Sequence, residues 1–488
     1  MPDRNTSNIL FIHTDSMDGR LMGCMGHPAM ANATPTLDAL AREGVLFCNA
    51  YTNNPICCPS RASTWSGKFT HNCEGWNNFK GLKDSDDVFT DRLQSAGYTC
   101  LDLGKTDYRS GGHTIRARVS PWTRSANIPR PNYRMGSPEV LENCDERVHN
   151  NDWRKVDQAT KWLRDETPDL DNPFYLYIGL GAPHPRFTTS QHYLDMIPEE
   201  AVDLPPVDAS LHPSLAYQRC NKNWLHGFSD ETVRLVRRIY FAMIAEVDAM
   251  VRTVIAELDH LGLRDNTYVI FSSDHGEQAM EHRQFYKMSP YEASTHIPLI
   301  ITGPNVRQNH DEQALVSLVD LYPTFMDISN TPHPDGLDGY SLMPELTGGS
   351  PVRPDWVLSE FFGTSVNTGV FMLRQDDWKY IAYAGTDPQL FNLKEDPHEI
   401  NNRAKSQADR VKDMDALLRS IVDYDAVDAK VKAYDKEAFA AWRQEELEAG
   451  TYRETMAKIF SGWDDLSPES IRPWKDHDER QIETWLAE

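Results

Sequence analysis

The sequence predicts an α/β protein: a doubly wound, mostly parallel sheet followed by a smaller α+β segment. Three observations carry this. Four short apolar runs rich in β-branched and aromatic residues read as buried strands: NILFIH (8–13), TCLDLG (99–104), PFYLYIGLG (173–181) and TYVIFSS (267–273). Helical patterns lie between them. TPTLDALAREG (34–44) is amphipathic with a glycine stop, and the long stretch 229–262 opens on Ser229-Asp230-Glu231. Strands alternating with helices give a parallel sheet covered on both faces. The composition then changes across 330–356, which is rich in Pro, Gly and turn pairs. Beyond it VFMLR, WKYIAY and QLFNL alternate like strands, polar helices follow from about Gln407, and 438–463 reads as an amphipathic helix. The boundary is placed at residue 350, between a catalytic domain (1–350) and a smaller one (351–488).

A chain of 488 residues can bury a large core. Its net charge of −24 argues against a general binder of nucleic acid or anionic membrane. No apolar run reaches the roughly 18 residues of a membrane span. The first apolar run ends at a charge and is no signal peptide, so the expected location is cytoplasmic as the chain stands, or exported or lysosomal if a leader was removed. Eight cysteines are too few for a disulfide framework in so long a chain. Cys57 and Cys58, adjacent in sequence, bridge poorly and lack the loop that two ligands of one tetrahedral ion need. Between Gly104 and Arg134, seven basic residues stand against the single acid Asp107: a local anion site, or a solvated loop.

Each predicted strand ends in chemistry. The first runs into Asp15, the second into Lys105 and Asp107, the third into His184, the fourth into Asp274-His275. Singly these are ordinary caps, turns and hydrogen-bonded histidines. Together they mark the carboxyl edge of the sheet, where such folds bind ligands. Asp15, Asp274 and His275 suit a divalent ion; oxygen donors favour Ca2+ or Mg2+, and the histidine leaves Mn2+ open. Such an ion can hold an anionic substrate and acidify a hydroxyl. Cys57 lies just ahead of a predicted helix, SRASTWSG, whose first N–H groups favour a negative partner. Arg61 can add charge-assisted hydrogen bonds there.

CCPSRASTWSG (57–67) resembles the sulfatase signature, Cys-x-Pro-Ser-Arg followed by a small hydroxyl residue and glycine. SDHGEQAMEHRQFYKMSPYEASTHIPLI (273–300) is similar to the family's second block, GKTDY (104–108) to its glycine-lysine block and PHP (183–185) to its histidine loop. WKYIAY (378–383) and QLFNLKEDPHEINN (389–402) resemble the strand pair of its small domain, so the likeness spans almost the whole chain. It implies an alkaline-phosphatase-like fold with an antiparallel sheet in the smaller domain. It also implies a type I, formylglycine-dependent sulfatase, with Cys57 as the converted residue and a formylglycine-generating enzyme as maturation partner. The metal ligands would be Asp15, Cys57, Asp274 and His275, holding Ca2+ or, alternatively, Mg2+ or Mn2+. Cys57, Arg61, Lys105, His184, Lys287 and Asp274 would be catalytic. The hydrated aldehyde would attack sulfur, His184 would protonate the leaving sugar, and the second diol hydroxyl would expel sulfate. GWNNFKGL, GKTDYRSGGHTI and EHRQFYKMSPYEAS are similar to the glucuronate-2-sulfatase branch, which implies removal of 2-O-sulfate from sulfated glycosaminoglycans.

The chain departs from the family at Ser16, where an acid is usual, and at Asp107, where a histidine is common; Asp107 or His113 would serve in its stead. A uronate carboxylate calls for a cation, ideally a guanidinium. His113, Arg116 and Arg118 in the basic loop, and Arg186, His282 and Arg283 near the histidine and lysine blocks, are the candidates. Each could instead be surface. His282 and His296 could also brace the second block through hydrogen bonds. Two rival readings use the same residues. One is a phosphate or phosphonate ester hydrolase, distinguished by comparing aryl sulfate with aryl phosphate. The other is a glycan-binding pseudoenzyme, distinguished by the unoxidised mass of the Cys57 peptide.

Overall fold

The four strands expected from sequence lie side by side, at one end of a seven-stranded sheet. Its members are β1 (Asn8–Asp15), β2 (Val45–Phe47), β3 (Thr99–Gly104), β4 (Phe174–Pro183), β5 (Thr267–Ser273), β6 (Leu299–Thr302) and β7 (His310–Glu312), in the order β7-β2-β6-β5-β1-β4-β3. Only β6 runs against its neighbours. The computed structural model describes residues 6–460 and 474–488, except 113, 114, 127, 129–137, 143, 145, 209, 223, 226 and 364, and leaves the side chains of 115–118 and 460 undescribed. The expectation of a mostly parallel sheet holds. Strands β2, β6 and β7, at three or four residues each, are too short for their periodicity to be legible.

Period-two alternation gives the sheet two apolar faces. Leu10, Ile12, Leu176, Ile178, Val269 and Phe271 pack beneath α1 (Pro35–Glu43), α4 (Asn150–Glu166) and α5 (Asp230–His260). Ile9, Phe11, Tyr175, Tyr177 and Ile270 face the helices α2 (Cys57–Ser66), α3 (Phe89–Ser95) and α6 (Leu321–Ile328) through Trp65, Phe89 and Phe325. Both predicted helix ends of the long α5 are real. Ser229 Oγ accepts the Thr232 N–H at 3.1 Å, and Gly262 beyond its last turn takes φ +67°. The signature helix α2 begins three residues earlier than the sequence suggests, at Cys57 itself. Pro59 is tolerated because the first-turn N–H it lacks has no intrahelical acceptor.

The C-terminal sheet is an antiparallel meander of β8 (Trp356–Phe361), β9 (Val370–Gln375), β10 (Trp378–Tyr383) and β11 (Thr386–Asn392), one strand more than expected. Phe371, Leu373 and Tyr380 on one face meet Met414 and Leu418 of α7 (Ala408–Ile421) and Val431 of α8 (Tyr424–Glu448). The other face, through Val370, Met372 and Ile381, packs on Ile56 and Met288 of the main body. The tail predicted as one helix over 438–463 is instead the end of α8 and a second helix, Tyr452–Phe460, parted at Gly450 with φ +72°. No described helix is long and apolar enough to cross a membrane.

A buried ionic network ties the two sheets. Lys379 of β10, wholly inaccessible, places Nζ 2.7 Å from Glu292 and 2.8 Å from Glu399, and donates to the Pro290 carbonyl at 3.1 Å. Glu292 also accepts from Tyr51 OH at 2.8 Å, and Arg374 donates to the same hydroxyl. Lys379→Met leaves two buried carboxylates short of their cation, and the expected loss is about 3 kcal/mol of unfolding free energy in a urea titration.

Candidate active site

The carboxyl ends of β1, β3, β4 and β5 converge on the N-terminus of α2. Asp15, Cys57, Asp274 and His275, all buried, bring their ligand atoms within 4.8 Å of one another. Cys57 Sγ lies 3.8 Å from Asp15 Oδ1 and 3.3 Å from His275 Nε2. The His275 ring donates Nδ1–H to the Gly276 carbonyl at 2.9 Å, which leaves the Nε2 lone pair facing the cluster. Burial pushes this imidazole down to about 4, so it stands neutral. Two carboxylates and an inward lone pair are a donor set that fits a divalent ion.

Three cations surround this group. Arg61, wholly inaccessible, donates Nε–H to Asp274 Oδ2 at 2.8 Å and Nη1–H to both Tyr177 OH and the Lys105 carbonyl at 2.6 Å. Lys105 Nζ donates to Asp15 Oδ2, and Lys287 Nζ is 4.0 Å from Asp15 Oδ1. Burial alone would raise the Asp15 carboxyl; the cations, Lys105 foremost, outweigh it and hold it well below the usual carboxylate range. Burial and Asp15 push the Cys57 thiol up. His184 is pushed down to about 3 by burial and then Lys287, and its Nδ1–H is donated to the Pro185 carbonyl at 2.5 Å.

Ser16 stands where an acid was expected, and it is part of the cluster. Its N–H donates to Asp274 Oδ1 and its Oγ–H to Asp15 Oδ1, each at 3.2 Å. Its φ of +68° is unusual for a residue with a Cβ, and the two bonds fix it. Asp107 Oδ2 lies 3.7 Å from Lys105 Nζ, beside the cluster.

The remaining candidates lie elsewhere. His282 pairs with Asp208 at 2.8 Å and stacks on Tyr291; His296 stacks on Tyr51, 3.3 Å from Glu292. Arg186 is exposed, and Arg283 donates to the Pro205 carbonyl. His113 falls outside the described residues, as do the side chains of Arg116 and Arg118. Two residues not named among the candidates complete the site, one of them the serine of the signature itself. Tyr177 OH accepts from Arg61 and donates to the Lys105 carbonyl at 2.6 Å, and Ser60 Oγ–H donates to the Asp274 carbonyl at 2.5 Å. The alternation within 173–181 contains the signal for Tyr177, because it shares the face of Tyr175 that meets α2.

A divalent ion that binds only the folded cluster stabilises it by mass action. Calcium or magnesium at a hundred times its dissociation constant is expected to add about 2.7 kcal/mol, read as a raised melting temperature. Asp15→Asn should abolish that shift.

The family model described as Sulfatase matches residues 7–331, and that of the N-sulphoglucosamine sulphohydrolase C-terminal region matches 280–423. "Arylsulfatase K" of Gallus gallus is 42% identical over 91% of this chain and 88% of its own length. That of Homo sapiens is 41% identical over 90% and 86%. Among solved structures, the phosphonate monoester hydrolase of Agrobacterium radiobacter superposes with a TM-score of 0.69 at 23% identity, covering 87% of this chain and 96% of that one. A 2-O GAG sulfatase superposes with a TM-score of 0.70 at 23% identity, covering 87% and 94%; at such identities the likeness is one of fold. A family match that runs through all seven strands of the main sheet and every residue of the cluster, with relatives this similar over nine-tenths of the chain, makes the protein a member of the Sulfatase family and a sulfuric ester hydrolase.

Proposed function

We propose that the protein removes the 2-O-sulfate of glucuronate in sulfated glycosaminoglycans, through a formylglycine that a formylglycine-generating enzyme makes from Cys57. The observation that carries this is the seat of Cys57, 3.3 Å from His275 and 3.8 Å from Asp15. A nucleophile there meets an anionic ester held by Lys105 and Lys287, while Arg61, buried and committed to Asp274 and Tyr177, fixes the carboxylate beside it. The substrate rests on the likeness of GWNNFKGL, GKTDYRSGGHTI and EHRQFYKMSPYEAS to the glucuronate-2-sulfatase branch, and on relatives that carry the name Arylsulfatase K.

Asp15, Asp274 and His275, with the oxidised residue 57, would hold calcium, which would offset charge on the sulfuryl oxygens and acidify the nucleophilic hydroxyl. The formylglycine hydrate supplies a hydroxyl whose sulfate ester can leave by C–O cleavage, an exit a thiolate lacks. Asp274, fixed by Arg61 and the Ser16 N–H, takes the proton of that hydroxyl. Lys105 and Lys287 stabilise charge building on the sulfuryl group; a preorganised donor of this kind is worth about 10^2–10^3 in kcat. His184, neutral at rest, gains its proton as the anionic ester enters and passes it to the departing sugar oxygen. Asp107, beside Lys105, accepts the proton released as sulfate is expelled.

Disaccharides carrying 2-sulfo-glucuronate, 2-sulfo-iduronate or 6-sulfo-glucosamine test the substrate assignment. Sulfate release from the first alone is expected; release from the third alone overturns it.

A further inference from the structure

Beside the cluster lies a cavity of about 510 Å³ lined by Lys105, His149, Asn150, Asn151, Asp152 and Lys155, with Gly179 and Gly181 of β4. Lys105 belongs to both places, because its Nζ meets Asp15. The cavity wall is rigidly built. Glu246, inaccessible on α5, accepts the N–H groups of Val148 at 2.8 Å and His149 at 2.9 Å, Trp153 Nε1–H at 2.9 Å and His149 Nδ1–H at 2.6 Å. Asp152, the one acid of the lining, has its Oδ2 taken by the N–H groups of Gly181 at 3.0 Å and Ala182 at 2.8 Å. Those two bonds also anchor the strand end that leads into His184.

One cation of the lining, Lys155, is uncommitted, and His149, paired through Nδ1 with Glu246, keeps one ring edge free. Burial opposes a charge on His149, but Glu246 outweighs burial and raises its pKa, leaving Nε2 without a partner among the described residues. Lys155 has no ion pair among the described residues. An unpaired Lys155 ammonium beside the free Nε2 edge of His149, with the one acid of the lining already satisfied by backbone N–H groups, favours an anion. Its attachment to the cluster through Lys105 limits which anion. A uronate carries its carboxylate on the same ring as the 2-sulfate, whereas a second sulfate on the neighbouring sugar lies a glycosidic bond further away.

We propose that this cavity is the subsite for the substrate's carboxylate, and that Lys155 and His149 are the residues that read it. The proposal rests on the uronate 2-sulfate reading above and deepens it. It also assigns recognition to residues of α4 and its approach, where the motifs pointed to the arginines around 116–118 and 186.

The test compares a 2-sulfo-uronate disaccharide with its carboxyl-reduced analogue, in which the carboxylate is a primary alcohol. The metal-loaded, converted enzyme is expected to prefer the acid in kcat/KM. In Lys155→Ala and His149→Gln that preference falls by about ten-fold or more, the worth of one charge-assisted hydrogen bond, and the loss appears in KM. Lys155→Arg should restore most of it, and melting temperatures check that each variant is folded. A preference unchanged in both variants, whether the two substrates slow equally or not at all, overturns the proposal. If the parent enzyme turns over neither disaccharide, the uronate 2-sulfate reading fails by itself. The subsite is then judged by equilibrium binding of the two compounds to Cys57→Ala protein, where absence of a carboxylate preference overturns it.

Discussion

Cys57→Ala is expected to lose at least about 10^4-fold in kcat on every sulfate ester, as loss of a catalytic nucleophile does, while its urea midpoint reports a stability change of about 1 kcal/mol. The side chain is small, and its Sγ has only the cluster as partners, so the fold loses little. Cys57→Ser separates the steps. Its hydroxyl stands where the nucleophile stands, with Lys105 and Lys287 still in place, but a serine sulfate cannot expel its group by C–O cleavage. The expected result is a burst of at most one product per chain, followed by arrest, with a sulfated residue 57 in the intact-protein mass spectrum. Undiminished steady turnover by Cys57→Ala would remove the residue from the chemistry. In the parent enzyme, the peptide that holds residue 57 should carry the lower mass of an aldehyde in place of a thiol.

Arg61→Met should cost about 3–5 kcal/mol of stability, because it strands Asp274 as a buried charge without its counter-ion. The guanidinium also joins Tyr177 and the Lys105 carbonyl, so the cation that meets Asp15 shifts, and kcat is expected to fall by about 10^2–10^3. The pH dependence has a definite sign. Burial and Asp15 raise the Asp274 carboxyl, but His275 and Arg61 hold it below its ordinary value in the folded protein. A depressed carboxyl contributes stability that is present above its unfolded pKa and is lost as pH falls through its folded pKa. The gap between parent and Arg61→Met should therefore be widest near neutrality and narrow in acid. Arg61→Met combined with Asp274→Asn should recover much of the stability but none of the activity. Failure of that recovery would mean packing, not charge, makes the helix N-terminus costly to alter.

The parts legible in the sequence are those that local pattern encodes. Four strands announce themselves by apolar runs of six or more residues, and each delivers its terminal residue to the same edge, so Asp15, Lys105, His184 and Asp274-His275 come into view together. The short strands β2, β6 and β7 do not, because three or four residues carry no period. Contacts across long separations are silent for another reason. Arg61 and Tyr177 are 116 residues apart, and His149 and Glu246 are 97 apart. Nothing near either residue of such a pair signals the other. His282 and His296 show the converse: they sit in the right block, yet their rings are spent on Asp208 with Tyr291 and on Tyr51, away from Cys57.

The meander that presses on Ile56 and Met288 touches the residue just before the signature helix and the one just after Lys287. The polypeptide beyond residue 356 is thus a splint for two segments that would otherwise be free to drift apart. Proteolytic clipping there, or a premature stop codon, would silence turnover without removing any atom that takes part in it.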